Sequence, residues 1–465
     1  MNMINVRRLT VMTFLGAGML PGISAQGSLL QADTLKEMKI PTQWDLQSCI
    51  DYAKEQNITI RKNRITAAGT QIDVKTAKAA LFPSLSFSTS HQVVNRPYQE
   101  TSSRVSGSEI ISSNSKTSYN GNYGLNASWT LYNGNKRLKT IQQEKLNNQI
   151  AELDVATSEN NIQESIAQVY IQILYAAESV RVNENTLQVS IAQRDRGQEL
   201  LNAGSIAKSD LAQLEAQVST DRYQLVTAQA TLEDYKLQLK QLLELDGENE
   251  MNIFLPALSD ENVLAPLPAK RDVYISALGL RPEIEASKLN VEASELGINI
   301  AKSSYFPTIS LSAGIGTNHT SGSDFTFGEQ VKNGWNNSIG LSVSVPIFNN
   351  RQTKSAVQKA KLQYETSMLS LLDEQKALYK TIETLWLDAN SAQQRYAAAN
   401  EKLKSTKISY ELTSEQFNLG MKNTVELLTE KNNLLQAQQE QLQAKYMAIL
   451  NTQLLKFYQG DQLAL

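Results

Sequence analysis

The chain has one cysteine, two histidines and no excess of either charge: 44 Lys and Arg stand against 47 Asp and Glu, a formal net charge of -3 over 465 residues. Each scarcity removes a class of function. With Cys49 alone no internal disulfide can form, and it lies too far along the chain to be the acylated cysteine of a lipoprotein, so it reads as a small buried side chain. A balanced charge gives no footprint for nucleic acid. No HExxH, GxSxG, P-loop or GxGxxG pattern occurs, and His91 and His319 fall in or beside polar loops, where they read as surface groups. No catalytic, cofactor-binding or metal-ligating set is expected.

Long apolar runs are missing too. The nearest approach, Leu9 to Leu20, is short of the ~20 residues that a membrane-spanning helix needs. Preceded by Arg7 and Arg8 and followed by Ile23-Ser24-Ala25, it fits a secretory signal peptide over residues 1–25, cut before Gln26. Losing those two arginines takes the net charge from -3 to -5. The expectation is an exported chain without a helical membrane anchor.

What the chain does contain, it contains twice. KAALFPSLSFS at 78–88 returns as KSSYFPTISLS at 302–312, an offset of 224. YGLNASWTLYNG at 123–134 matches IGLSVSVPIFNN at 339–350, and ELLNAGSIAKSDL at 199–211 matches EQFNLGMKNTVEL at 415–427, both at an offset of 216. Each half has the order helix, strand, polar loop, strand, very long helix, Gly turn, shorter helix. The first repeat is placed at 26–246 and the second at 271–465, with a proline-containing, non-helical connector at 247–270.

Helices are expected from about Trp44 to Leu81 and from Asp272 to Tyr305, closed by Pro83 and Pro307, which deny a backbone donor and restrict the preceding residue. Strands of period two follow at about 84–94, 119–131, 308–317 and 336–347, with exposed loops at 95–118 and 318–334. From Lys136 to Asn202 there is no proline and only Gly197 as glycine, which as a helix of 67 residues would extend ~100 Å at ~1.5 Å per residue. A second long helix is expected at 350–418, and shorter helices at 209–246 and 423–458. In the first of these, Leu211, Val218, Leu225, Leu232 and Leu239 repeat every seven residues, and Leu214, Ala228, Tyr235 and Leu242 supply the second heptad position. Asp221 is the exception in this coiled-coil seam. Since the helix is about half as long as its partner, the helix before the strands is expected to stack end to end with it.

The strands carry the functional signal. Their odd-numbered face, including Leu85, Phe87, Val93, Leu125, Ile309, Leu311, Ile315, Ile339, Leu341, Val343 and Val345, holds no Asp, Glu, Lys or Arg. The even face is small, polar and uncharged, as in Ser84, Ser86, Ser310, Ser342 and Ser344. A midplane Arg or Lys on a lipid face costs ~2–4 kcal/mol, and about 10 residues per segment suits a tilted membrane strand. Tyr119, Tyr123, Trp129 and Trp335 then serve as interfacial aromatics. Four strands cannot close a barrel, and open edges in lipid leave amides unpaired, so the chain is expected to oligomerise. A secreted soluble coiled-coil spacer or adaptor with an ordinary sandwich is the alternative reading.

The two halves, the Phe-Pro breaks, the Asn-x-Gly turns and NLGMKNTVELLTEKNNLLQAQQEQLQAKYMAILNTQLLKFYQG near the C-terminus together resemble the TolC outer membrane efflux protein family, over about residues 43–460. The resemblance implies a mixed, mainly α fold: a homotrimer whose four strands per chain make a 12-stranded transmembrane β-barrel, continued by a long α-helical barrel through the periplasm. It implies an outer-membrane location, contact with lipid, and the exit duct of a tripartite efflux or type I secretion system. The partners would be a periplasmic membrane-fusion adaptor protein and an inner-membrane pump.

Family members narrow near the turns that fall here on Gly204 and Gly420. Their gate pattern, a Thr-Asp pair, an aromatic and basic residue, and two acidic positions, falls on Ser209-Asp210, Phe417 and Lys422, and Glu426 and Thr429. Phe417 lacks a hydroxyl, Lys422 stands where Arg is expected, and Thr429 replaces a carboxylate. Three Glu426 carboxylates gathered by threefold symmetry are expected to raise one another's pKa, and Lys422 to reach a neighbouring helix. Asp210 also suits a helix-capping role. Gly204, Ser205, Gly420 and Met421, in short exposed turns at the end of coiled coils, are the expected docking points for an adaptor's helical hairpin.

Overall fold

A computed structural model describes residues 41–98, 102–106, 109–113, 116–246, 251–256, 263–321, 323 and 325–463. The expected signal peptide at 1–25 lies outside them. The chain divides into Met1–Thr42 and a unit from Gln43 to Leu465, which holds every element named below. In chain order these are α1 (Leu46–Gln56), α2 (Ile58–Ala79), β1 (Ser84–Asn95), β2 (Ser102–Ser106), β3 (Glu109–Ser113), β4 (Thr117–Asn133), α3 (Lys136–Asn202), α4 (Lys208–Leu242), α5 (Lys270–Leu280), α6 (Pro282–Ser303), β5 (Thr308–Thr320), α7 (Phe327–Asn333), β6 (Asn336–Ser344), α8 (Gln352–Asn418) and α9 (Thr424–Gln459). The fold is mixed and mainly α, with the same plan run twice.

The helix expected before each strand pair is broken in two. Asn57 ends α1, and its side-chain oxygen accepts from the backbone N–H groups of Thr59 (2.9 Å) and Ile60 (3.4 Å), capping a new helix. In the second repeat Pro282, at the first position of α6, forces Arg281 out of helical geometry (φ -77°, ψ 123°). The loops also hold structure: β2 pairs with β3 in a hairpin, and α7 lies between β5 and β6. The last strand stops at Ser344, before Pro346, which has no N–H to donate.

These breaks serve the stacking of helices. The Asn57 amide donates to the Leu242 carbonyl at the end of α4 (3.0 Å), so α2 begins where α4 stops. In the second repeat the Arg281 guanidinium lies 4.3 Å from the ring centre of Tyr458 near the end of α9, with ion pairs to Glu164 (3.1 Å) and Glu283 (2.7 Å). Burial pushes the Glu164 carboxyl up, against the pull of Arg281. The chain therefore presents four staves side by side: α4 with α2, then α3, then α9 with α6, then α8. Each of α3 and α8 is 67 residues long and runs the full length, ~100 Å at ~1.5 Å per residue.

At mid-height the connector clings to the long helices. Tyr170 of α3 donates to the Phe254 carbonyl (2.6 Å), Trp386 of α8 to Pro268 (3.1 Å), and Gln393 to Val263 and Ala265 (3.0 and 2.8 Å). A core of Val273, Ala277, Ile284, Leu378, Ile382, Ala389, Leu455 and Tyr458 packs beside it. Cys49 is fully buried near Trp44, and desolvation pushes its thiol up to about 12.

The four long strands form one antiparallel sheet in the order β1-β4-β5-β6. At the strand-to-helix turn Gly134 takes φ +67°, and an added Cβ would stand 2.6 Å from the Ser303 carbonyl oxygen, so the position needs glycine on two counts. A β-bulge between Thr130 and Tyr132 turns Tyr132 onto the odd-numbered face opposite Ile309.

Candidate functional site

The sheet aligns its apolar residues across strands. Trp129, Leu311 and Leu341 share one row; Phe87, Leu125 and Ile315 share another. Among the described residues nothing covers this face: Leu85, Phe87, Ile339 and Leu341 are 70%, 68%, 78% and 63% exposed. A contiguous apolar face of this size requires a cover or an apolar solvent. On the other face the hydroxyls of Ser84, Ser86, Ser312 and Ser338 donate to carbonyls of the adjacent strand at 3.3 to 3.4 Å.

Aromatic residues bracket the apolar rows. Tyr119, Tyr123 and Trp335 stand at the loop end of the sheet, while Trp129 stands at the helix end and donates its indole N–H to the Leu81 carbonyl (2.7 Å). Tyr119 to Trp129 spans ~34 Å along the strand at ~3.4 Å per residue, and a tilt of ~40° brings that to ~25 Å, the height of an outer-membrane barrel's apolar band. The end strands β1 and β6 each have one neighbour in the sheet and run in opposite directions. Beside β1 in sequence lies α2, and beside β6 lies α8, so the end strands and the end staves belong to the same two flanks of the chain.

At the far end of the staves the two Gly turns have one geometry. Gly204 and Gly420 take φ +72° and +76°, and nothing lies within 4 Å of an added Cβ at either. The Ser205 N–H reaches the Leu200 carbonyl at 2.8 Å and the Met421 N–H that of Gln416 at 2.9 Å, satisfying helix-end carbonyls in the same way. Gly204, Ser205, Gly420 and Met421 are all exposed.

The candidate gate residues separate into different environments. Asp210 accepts from the Ala207 backbone N–H (3.0 Å), the helix-capping arrangement. Phe417 is buried. Lys422 pairs with Glu426 at 2.5 Å on the same helix terminus, not with a neighbouring helix. That ammonium and the Asn423 backbone N–H hold the Glu426 carboxyl below its ordinary value within one chain, opposite to the direction expected from three carboxylates alone. Thr429 is exposed and donates to the Val425 carbonyl (2.8 Å), and Glu430 accepts from Ser409 of α8 (2.8 Å).

Deeper in the same half lies a cluster that sequence reasoning passed over. Lys431 of α9 and Asp221 of α4 form a buried ion pair, and Ser190 of α3 hydrogen-bonds to both. Their side chains are 3% and 0% exposed. Gln217 adds a hydrogen bond to the other Asp221 oxygen (2.8 Å). Burial pushes the Lys431 ammonium down from its ordinary value in spite of Asp221. The signal was present in sequence: Asp221 breaks a seam whose other positions, from Leu211 to Leu242, are all buried or half-buried.

Residues 49–244 and 273–460 each match the outer membrane efflux protein family. The chain is 24% identical over 294 residues to the outer membrane efflux protein BepC of Brucella suis, covering 63% of this chain and 61% of that one. It is 22% identical over 444 residues to the outer membrane protein TolC of Escherichia coli, covering 92% and 83%. The solved structure of CusC, described in connection with transmembrane channel formation, superposes with a TM-score of 0.76 at 18% identity, covering 92% of this chain and 96% of that one.

Proposed function

Because the chain belongs to the outer membrane efflux protein family, we propose that three copies assemble flank to flank into a passive exit duct across the outer membrane. Three four-stranded sheets give twelve strands, and three sets of four staves give twelve helical staves continuing beneath them. The observation that carries this reading is the exposed, uncharged face of the sheet between two end strands whose outer edges have no partner strand among the described residues. Since β1 and β6 run in opposite directions, copies joined edge to edge stay antiparallel throughout, as bacterial barrels require. Hydrocarbon covers the odd-numbered face, and water fills the side lined by serine, threonine and asparagine. A soluble spacer would leave Leu85, Phe87 and Ile339 in water and finds no support among the relatives.

The staves reach ~100 Å from the sheet, long enough to carry the duct far into the periplasm. There the exposed turns at Gly204 and Gly420 offer coiled-coil grooves to the helical hairpin of a membrane-fusion adaptor, itself joined to an inner-membrane pump that supplies the energy. The closing contacts lie around Asp210, Phe417, Lys422, Glu426 and Thr429. Within each chain the Lys422–Glu426 pair ties the start of α9, and its loss loosens that end.

Single-channel conductance of the purified protein in a planar bilayer tests the duct. Discrete steps of uniform size are expected; a protein that leaves the bilayer silent in every preparation, including one truncated at the turns, refutes it.

A further inference from the structure

The only two histidines of the chain come from separate repeats and meet over one glycine. In register across three strands stand His91 of β1, Gly121 of β4 and His319 of β5. Gly121 has no side chain, and the two imidazoles lean into the space above it. A Cβ placed there would stand 2.7 Å from His319 Nδ1 and 3.3 Å from His91 Nδ1, so the two nitrogens lie no more than about 6 Å apart. Tyr119 and Tyr123, on either side of Gly121, complete a ring of aromatic groups. Tyr119 stacks on His91 at 5.8 Å and meets His319 edge-on at 5.1 Å, and Phe327 of α7 closes on His319 at 5.0 Å.

The hydrogen bonds engage both His91 nitrogens and leave one nitrogen of His319 unpartnered. The Tyr119 hydroxyl lies 2.6 Å from His91 Nδ1, and Thr89 Oγ1 lies 3.0 Å from His91 Nε2. If the phenol donates to Nδ1, the ring proton sits on Nε2 and donates to Thr89, and the inward Nδ1 lone pair is held by the phenol proton, which a cation has to displace. A metal-bound histidine needs the same arrangement, with its second ring nitrogen tethered to an oxygen. His319 Nδ1 is buried and has no hydrogen-bond partner among the described residues. An unpartnered His319 nitrogen facing a His91 nitrogen held only by a phenol O–H makes a donor set that a cation can take over by displacing the phenol proton.

We propose that His91 and His319 bind a late first-row divalent metal ion, of the zinc, copper or nickel class, above Gly121, with the Tyr119 oxygen or water completing its shell. Imidazole suits these ions, and nitrogen-to-zinc distances of ~2.0–2.1 Å in a tetrahedral shell put the two Nδ1 atoms ~3.4 Å apart, at most ~2.6 Å closer than their present upper limit and within reach of side-chain rotation. The ion would staple β1 to β5 across β4, joining the two repeats at the loop end of the sheet and fixing α7 through Phe327. The sequence reading had both histidines as separate surface groups. Their meeting depends on strand pairing between Gly121 and His319, about 200 positions apart.

Zn²⁺ is the probe, used on the untagged, detergent-solubilised full chain after chelator treatment. Equilibrium dialysis is expected to give about one Zn²⁺ per chain, falling to none in His91→Gln and in His319→Gln. Absence of binding in the unaltered protein, or its retention in either variant, overturns the proposal. A second measurement needs no variant: peptide mass mapping after diethylpyrocarbonate treatment follows His91 and His319 separately from the lysines and tyrosines that the reagent also modifies. Zn²⁺ is expected to protect both together; modification of both at the metal-free rate overturns the assignment.

Discussion

Replacing Lys431 by Met removes the positive member of a buried pair and leaves Asp221 with only Ser190 and Gln217 as partners. Breaking a fully buried ion pair from one side costs ~3–5 kcal/mol, because the remaining charge stays desolvated. The site meets that condition, with side-chain exposures of 3% and 0%. The pair joins α4 to α9 with Ser190 of α3 between them, so the cost falls on the half of the molecule toward the turns. At ~1.4 kcal/mol per tenfold, opening of those helices rises by roughly two to four powers of ten. The double variant Asp221→Leu, Lys431→Met has no stranded charge, and swaps of this kind are neutral or stabilising by ~1–4 kcal/mol. The downward push on the Lys431 ammonium agrees: burial of the charge outweighs its partner's attraction. The pair therefore acts on register more than on stability, fixing α4 against α9 at one height in an otherwise greasy seam. Native-state hydrogen exchange of α4 and α9 in detergent measures the opening directly. Single variants that exchange like the unaltered protein, or a double variant as labile as Lys431→Met alone, refute the reasoning.

Further outcomes follow from the same geometry. Leu341→Arg, on the exposed apolar face, is expected to lose ~2–4 kcal/mol and most of its outer-membrane assembly, whereas Ser342→Arg on the opposite face assembles; equal yields of heat-modifiable protein contradict the two-faced sheet. Lys422→Ala is expected to raise single-channel conductance, and an unchanged trace removes Lys422 from the gate. Glu426, with its carboxyl held below the ordinary 4.5, contributes its contact above that pH and loses it as the pH falls through the lowered value. Conductance at pH 5 should therefore match that at pH 7 and rise only below about 4.5, and a rise already at pH 5.5 contradicts the assignment. Cysteines at Ser205 and Met421 are expected to crosslink an adaptor hairpin, and crosslinks confined to the loops between strands exclude tip docking.

The parts legible in sequence were those written locally. Phe82-Pro83 and Phe306-Pro307 mark where helix must give way to strand, and the alternation after them survives as the sheet's two faces because period two is a property of each strand by itself. The proline-free stretch from Lys136 to Asn202 coincides with α3. The breaks at Asn57 and Arg281 were less visible: each is favourable because another helix ends there, a contact some 185 residues away in the case of Asn57 and Leu242. The hairpin of β2 and β3 was hidden by its serine-rich composition. Lys431, Asp221 and Ser190 come from three helices whose relative height no local pattern states. The gate candidates carried over by resemblance lie beside the Gly204 and Gly420 turns, and a role in closing the duct would rest on contacts between copies, which one chain does not contain.

The mass of the purified protein tests the central claim most directly, because an uncharged apolar face between two free strand edges is stable only in lipid and only beside copies of itself. Light scattering corrected for bound detergent should give three chains per particle, with precipitation when the detergent is withdrawn. A monodisperse single chain in plain buffer would contradict the account.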